Sequence, residues 1–486
     1  MATKRAAPPG AGGFFSLFDL SPAVFEEASL SALGATMARA QRQNAIRMGS
    51  GYVYLGQFIA HDISKLQRPD GPVTVPAMRQ LRTPTLDLDS VYGKGFDDKE
   101  SAVNEASGEM QIGEVHGSSP GLPGNGDLPR DKETRKARIP EVRNDENLIV
   151  AQLHVQFLKL HNLFVAELRR TGSRSSAQEL FDAARTQVVL HYQQVVLYDF
   201  LDTILERRVW EYVIGGNTGT LWNPPASEMP RMPIEFSAAA FRFGHSMVRP
   251  DYQLNRDQGV DLAGLFKMTG DGGFGGKPCL PASHLVDWRF FFHSTAGETP
   301  LNEALHIDPA VHVRLADGPL ATKNLLIGNQ SGLPDGQALV RHVQRAHPAL
   351  ASVVHLRELS QDELNPMLTF RHGATFKSRR VFEELDSPSA AAHFLRSTPL
   401  WYYLLAEAQA MHGGSRLGTL GSLLVAEVLR ALVWLSSPSI LREPLRLPYL
   451  RPPHLRPTKD LHGQRYFRMI DLLNAVASKE AGAAKL

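Results

Sequence analysis

The chain has 486 residues, of which 43% are hydrophobic and 21% charged, with a formal net charge of +2. Those proportions suit a folded globular protein and give no bulk electrostatic argument for binding nucleic acid or an anionic membrane. A single cysteine, Cys279, excludes a disulfide within the chain and fits a reducing compartment. Length alone suggests about three domains, yet nothing in the composition divides the chain, and one of this size can bury a single large core. The opening MATKRAAPPGAGGFFSLF places Pro and Gly where a signal peptide would be continuously apolar. The best candidate for a bilayer span, Leu417 to Ser436, is interrupted by Gly421, Glu427 and Arg430. The expectation is a cytoplasmic protein with no membrane span.

In chain order, an N-terminal arm (residues 1–40) precedes the main body (residues 41–486). Apolar residues recur at helical spacing from Leu148 to Leu168, through Leu153, Phe157, Leu160 and Phe164, which predicts a long helix. Asn144, Asp145 and Glu146 suit its cap and first turn. Ser176 to Val209 predicts a second long helix or a kinked pair. Phe236 to Val248 predicts a third, ended by Arg249-Pro250. Leu400 to His412 and Leu417 to Leu435 predict two more. Strand alternation is scarce and there is no internal repeat. Breaker-rich segments cover residues 108–140, 270–281 and 436–457. The first is long for a connection inside a compact domain and reads as a functional or mobile loop. The fold expected is mostly α, a single large helical domain with little β structure.

Four segments carry candidate chemistry. In Gly56-Gln57-Phe58-Ile59-Ala60-His61-Asp62, a helix would put Gln57 and His61 on one face, where an imidazole and an amide can handle a small polar ligand. The alternative is a hydrogen-bonded core histidine. In Thr83-Pro84-Thr85-Leu86-Asp87-Leu88-Asp89, alternating oxygen-bearing residues suit a hard cation such as Ca²⁺, or form a solvated acidic turn. Arg143 stands at the start of the predicted helix that bears His154 and His161. A guanidinium fixed there can face a cavity and stabilise developing negative charge, or pair at the surface with Asp145 or Glu146. In Glu235-Phe236-Ser237-Ala238-Ala239-Ala240-Phe241-Arg242-Phe243-Gly244-His245, three small residues admit a flat object or another helix, and Arg242 and His245 lie at i,i+3. There an imidazole can bind a metal while the guanidinium pairs with a carboxylate.

The order and wording of these segments together resemble the animal-type haem peroxidases of the peroxidase–cyclooxygenase superfamily and their bacterial relatives. Thr398-Pro399-Leu400-Trp401-Tyr402-Tyr403 and Arg416-Leu417-Gly418 extend the resemblance, which runs between residues 50 and 435. It implies haem b and Ca²⁺ as cofactors, and hydrogen peroxide and a small-molecule reductant, organic or halide, as substrates. His61 would be the acid–base on the peroxide side, Arg143 the stabiliser of charge on the leaving oxygen, and Gln57 a wall of that cavity. His245 would bind the haem iron. Asn324, in Asn324-Leu325-Leu326-Ile327-Gly328, would accept the other ring N–H of His245. Arg242 would pair with a haem propionate. Asp62, Thr83, Thr85, Asp87 and Asp89 would hold Ca²⁺ directly behind His61.

The chain also departs from the mammalian pattern. Ala60 stands where an ester-forming aspartate lies, Glu146 where the second ester-forming residue lies, Asn147 where one member has a sulfonium-forming methionine, and Ile327 where an arginine near a propionate is usual. One ester, through Glu146, is then available, and strong halide oxidation is not expected. Other readings compete. A fatty-acid dioxygenase of the same superfamily needs a tyrosine three residues before the iron-binding histidine, where this chain has Arg242, although Tyr52 or Tyr54 offers a tyrosine elsewhere. A non-catalytic haem-binding or sensing protein would lack the set His61, Gln57 and Arg143. A non-haem metal enzyme would draw on several of His61, His154, His161 and His245, but His154 and His161 are seven residues apart and too distant to chelate one ion together.

Overall fold

The computed structural model describes residues 13–41, 45–67, 78–117, 126–172, 175–217, 219–293, 299–315, 318–372, 374–442 and 466–480. The helices that frame the site are α1 (Glu27–Arg39), α2 (Gly51–Ile63), α3 (Leu148–Arg170), α4 (Ala177–Val195), α5 (Ile234–Ala238), α6 (Leu320–Gln330), α7 (Leu400–His412), α8 (Thr419–Leu435) and α9 (Met469–Glu480). Every sheet among the described residues is a two-stranded pair. The mostly helical fold expected from the sequence is the fold observed.

The N-terminal arm packs on its own chain from Phe14 onward. Phe14–Phe15 pairs in parallel with Met232–Pro233, and the buried Glu235 accepts hydrogen bonds from Ser16 Oγ and Leu17 N. Helix α1 buries Leu30, Leu33 and Met37 and lies along α6. The approach is close enough that a Cβ on Gly34 would fall 2.4 Å from Thr322 Oγ1. Residues 1–12 of the arm lie outside the described residues.

Helix α3 runs through the core with α2, α4 and α9 around it. Asn147 caps it by accepting from Val150 N. By length and composition α3, rather than Leu417 to Ser436, is the helix among the described residues that could cross a bilayer, yet 94% of its most apolar window is buried inside the protein. Two of its polar side chains are satisfied internally: Gln152 by Gly126 O, and His161 by Tyr92 Oη and Gly108 O. A stacked pair, Phe58 on Phe157 with centroids 4.9 Å apart, locks α2 to α3.

The predicted helix from Ser176 to Val209 is a kinked series. A Ser176–Glu179 capping box opens α4, a wide turn at Val196–Phe200 continues it, and the backbone turns extended at Leu205. The predicted helix from Phe236 to Val248 is broken at Ala239 (φ −137°, ψ −69°), with a tight helical stretch, Ala240–Ser246, following α5. Side chains claim two carbonyls there: Arg242 Nε donates to Ser237 O, and Trp401 Nε1 to Arg242 O. Helices α7 and α8 form where periodicity placed them. The fully buried Glu407 of α7 accepts from Leu420 N and Gly421 N at the start of α8. The long breaker-rich segment at residues 108–140 is partly tied down by bridges Gly113–Asp127 and Arg130–Ala137; its residues 118–125 lie outside the described residues.

Candidate active site

Helix α2 sets Gln57 and His61 one turn apart on the face that meets Glu146. Gln57 Nε2 donates to Glu146 Oε1 at 2.5 Å, and Gln57 Oε1 accepts from Asn147 Nδ2 at 3.2 Å. The same Glu146 oxygen lies 4.0 Å from His61 Nε2. The other ring nitrogen of His61 points inward, 3.0 Å from Asn144 Oδ1. Burial pushes the His61 pKa down to about 3, the Arg143 charge adds to that, and the Asn144 bond opposes it. His61 is therefore neutral at ordinary pH and able to take a proton. Burial raises the Glu146 carboxyl, with Arg143 opposing.

Arg143 does not pair with Asp145 or Glu146. Asp145 is taken by Arg130, at 2.6 and 2.8 Å. Arg143 Nε and Nη2 grip Glu141 at 3.0 and 3.1 Å, and Nη2 also reaches the carbonyls of His61 and Ser64. Glu141 is fully buried and also meets Lys65 at 3.2 Å and Arg82 at 2.7 Å. Burial alone would raise its pKa; the bond and charge of Arg143, with Arg82, outweigh that and hold it well below the usual carboxylate range. The sequence reading missed Glu141, Arg82, Asn144 and the orienting use of His154. The signal available for Glu141 was its place two residues before Arg143.

Behind His61, one oxygen from each of Asp62, Asp87 and Asp89 lies within 4.8 Å of the others. Leu88, in the left-handed region at φ 57°, turns the loop between the last two. Asp62 accepts from Ser90 N and Oγ and from Leu88 N. Thr85 Oγ1 donates to Asp87 at 2.9 Å, and Thr83 N to Asp89 at 3.4 Å. Burial raises the Asp62 pKa well above its ordinary value, and the neighbouring Asp89 and Asp87 raise it further; Asp89 is pushed up to about 7 by burial and then by Asp87. Crowded acidic oxygens of this kind are the donor set a hard cation neutralises. Arg82 lies between this loop and Glu141, 3.4 Å from Asp89 Oδ1.

On the other side, His245 ends the tight stretch after α5. Its Nδ1 is 2.8 Å from Asn324 Nδ2, and Arg242 Nη1 donates to Asn324 Oδ1 at 3.0 Å. The sequence reading had Asn324 accepting from His245 and Arg242 turned toward a propionate. In the structure Arg242 occupies the amide oxygen, so the amide NH₂ faces the imidazole. Burial pushes the His245 pKa down to about 3, with the Arg242 charge second. No hydrogen bond among the described residues reaches His245 Nε2. The two histidine-bearing segments are neighbours: α2 packs on Ala240–Ser246, and Ser64 Oγ meets Ser237 Oγ at 3.0 Å. His154 and His161 are hydrogen-bonded in the core and do not join a metal cluster among the described residues.

Residues 74–267 match the family model for animal haem peroxidases. That match covers less than half of the chain. Eosinophil peroxidase of Mus musculus is 35% identical over 121 residues, which span 24% of this chain and 16% of that enzyme. Peroxidase A from Dictyostelium discoideum superposes with a TM-score of 0.57 at 15% identity, covering 91% of this chain and 89% of that one. The fatty acid alpha-dioxygenase of Arabidopsis thaliana superposes with a TM-score of 0.58 at 12% identity, covering 95% and 75%. The fold is thus shared with these peroxidase and fatty acid alpha-dioxygenase structures. A haem suits the residues present: the half-buried His245 imidazole has one ring nitrogen oriented by an amide and the other free of hydrogen bonds among the described residues, and α2 brings a second imidazole and an amide to the Glu146 carboxyl.

Proposed function

We propose that the protein is a haem peroxidase that binds haem b through His245 and reduces hydrogen peroxide at His61, oxidising a small organic or halide donor. The observation that carries this reading is the grouping of Gln57 and His61, on a helix packed against the segment of His245, with Glu146 and Arg143 brought beside them from the turn before α3. Bound haem would supply the iron that coordinates peroxide and stores the two oxidising equivalents passed to the donor. His61 Nε2 takes the proton from one peroxide oxygen and delivers it to the other as that oxygen leaves as water. The Arg143 guanidinium, held through Nε and Nη2 by Glu141, stabilises negative charge on the leaving oxygen. Gln57 keeps Glu146 beside His61. Arg242 would meet a propionate, and Asn324 would hold the His245 ring.

Ca²⁺ is proposed for the Asp62, Asp87 and Asp89 cluster, with Thr83 and Thr85 completing the set. Glu146 is the residue available for an ester to the haem, because Ala60 offers no carboxyl. A single link at most supports a donor that is easily oxidised, such as a phenol or iodide, over chloride.

A second reading, a fatty acid alpha-dioxygenase, is favoured by the fold likeness to the Arabidopsis thaliana enzyme. Arg242 in place of a tyrosine speaks for the peroxidase. The deciding experiment records the absorption spectrum of haem-loaded protein before and after one equivalent of hydrogen peroxide. A Soret band that falls, shifts and recovers on adding a phenol establishes the peroxidase. Oxygen uptake driven by a fatty acid, without phenol turnover, establishes the dioxygenase.

A further inference from the structure

Behind the peroxide side of the pocket lies a chain of three buried residues. His61 Nδ1 is 3.0 Å from Asn144 Oδ1, and Asn144 Nδ2 is 3.0 Å from His154 Nδ1. Asn144 and His154 are fully buried and His61 nearly so. A primary amide has one donor end and one acceptor end, and a neutral imidazole has a single N–H. An amide between two such rings satisfies both only when one inner nitrogen carries a proton and the other is bare.

The two tautomers are therefore set together. With the amide as it stands, His61 carries its proton on Nδ1 and leaves Nε2 bare, and Nε2 is the atom 4.0 Å from Glu146 Oε1. His154 then carries its proton on Nε2. With the amide reversed, the His61 proton sits on Nε2 and the pocket has lost its base. The observed setting is not free of cost: His154 Nε2 is buried without a hydrogen-bond partner. An orphaned donor in the wall of a site is the kind of local sacrifice that a functional constraint sustains.

We infer that Asn144 and His154 are positioning residues that fix the tautomer of His61 and keep its Nε2 bare toward the pocket. Neither touches the peroxide; each acts through His61. The inference rests on the reading of His61 as the acid–base of a peroxidase. It also predicts the effect of changing the central amide. Asn144→Asp offers acceptors at both ends, so both rings can carry Nδ1–H and His61 Nε2 stays bare. Asn144→Leu removes both contacts and releases the ring.

The test uses full-length protein labelled with ¹⁵N-histidine, in which two-bond ¹H–¹⁵N correlations show which ring nitrogen carries the proton. His61→Ala and His154→Ala assign the signals. In wild-type apoprotein His61 is expected as the Nδ1–H form and His154 as the Nε2–H form. Asn144→Leu and His154→Phe should each give mixed His61 tautomers, and Asn144→Asp should give Nδ1–H at both rings. After haem loading, the rate with peroxide should fall at least about tenfold in Asn144→Leu and stay within about threefold of wild type in Asn144→Asp. A packing role would make the buried charge of Asn144→Asp the worse change. An unaltered His61 tautomer in both Asn144→Leu and His154→Phe, or a slower Asn144→Asp than Asn144→Leu, overturns the inference. Tautomers that follow the expected pattern in a wild-type protein inert to peroxide support it, while removing the peroxidase reading.

Discussion

Arg242 Nη1 donates to Asn324 Oδ1 at 3.0 Å, and this bond turns the amide NH₂ of Asn324 toward His245 Nδ1. With a donor facing it, Nδ1 must accept, and a neutral His245 then carries its proton on Nε2, the nitrogen that would bind iron. Binding through Nε2 requires the reversed amide, and a reversed amide would set its NH₂ against the Arg242 N–H. Were His245 to bind haem iron through Nε2, Arg242 would have to leave Asn324, and a propionate would be the acceptor to draw it away. Arg242→Leu should lose that charge-assisted bond, worth about 1.5–3 kcal/mol, and so weaken haem binding about tenfold or more. Haem titration followed at the Soret band measures it; unchanged affinity would remove Arg242 from the haem site.

The two histidines should separate binding from chemistry. His245→Ala should fail to hold haem in its normal ligation, visible as a lost or displaced Soret band. His61→Ala should bind haem normally and react with peroxide roughly 10²–10⁴-fold more slowly. Stopped-flow absorbance gives that rate. A wild-type rate in His61→Ala, with normal haem content, means another group moves the proton.

Much of the fold was legible in the sequence because its signals are local. The period of α3 and the apolar runs of α7 and α8 are set by residues within the helices themselves. The break at Ala239 was not legible, since Trp401, more than 150 residues away in the chain, takes the Arg242 carbonyl. The site divides in the same way. His61, Asp62, Arg143 and His245 sit in recognisable words. Glu141 looked like any acidic residue, because its partners Lys65 and Arg82 come from a segment joined to it only by folding. Asn144 and His154 are ten residues apart, a spacing with no helical meaning until the turn before α3 is in place.

The cation proposal carries a sign for pH. Without a cation, the buried Asp89 carboxyl is raised from 3.8 to about 7, and Asp62 is also raised. A raised carboxyl binds its proton more tightly in the folded state, so it favours folding at low pH. That contribution is present below the unfolded value near 4 and is lost as pH climbs through about 7. Bound Ca²⁺ removes the loss by favouring the charged forms. Calcium should therefore raise the Tm more at pH 8 than at pH 5, and Asp87→Ala should abolish most of the difference. Thermal melts in calcium and in chelator at both pH values test this; equal Tm with and without calcium at pH 8 would eliminate the site.

Glu141 joins the cation loop to the peroxide side. It receives Arg82, which also lies 3.4 Å from Asp89, and Arg143, which also donates to the His61 carbonyl. Neutralising it leaves three cationic side chains facing a buried amide. Breaking a buried ion pair on one side costs about 3–5 kcal/mol, so Glu141→Gln should lose that order of stability in urea unfolding. Arg143 would lose its Nε anchor and the charge opposite it, so the haem-loaded variant should also react more slowly with peroxide at temperatures where it remains folded. Arg82→Gln leaves Glu141 paired with Lys65 and Arg143, and should cost less on both measures. If Glu141→Gln destabilises the protein while its peroxide rate stays at the wild-type value, Glu141 only supports the fold and the guanidinium of Arg143 is positioned by the His61 and Ser64 carbonyls alone.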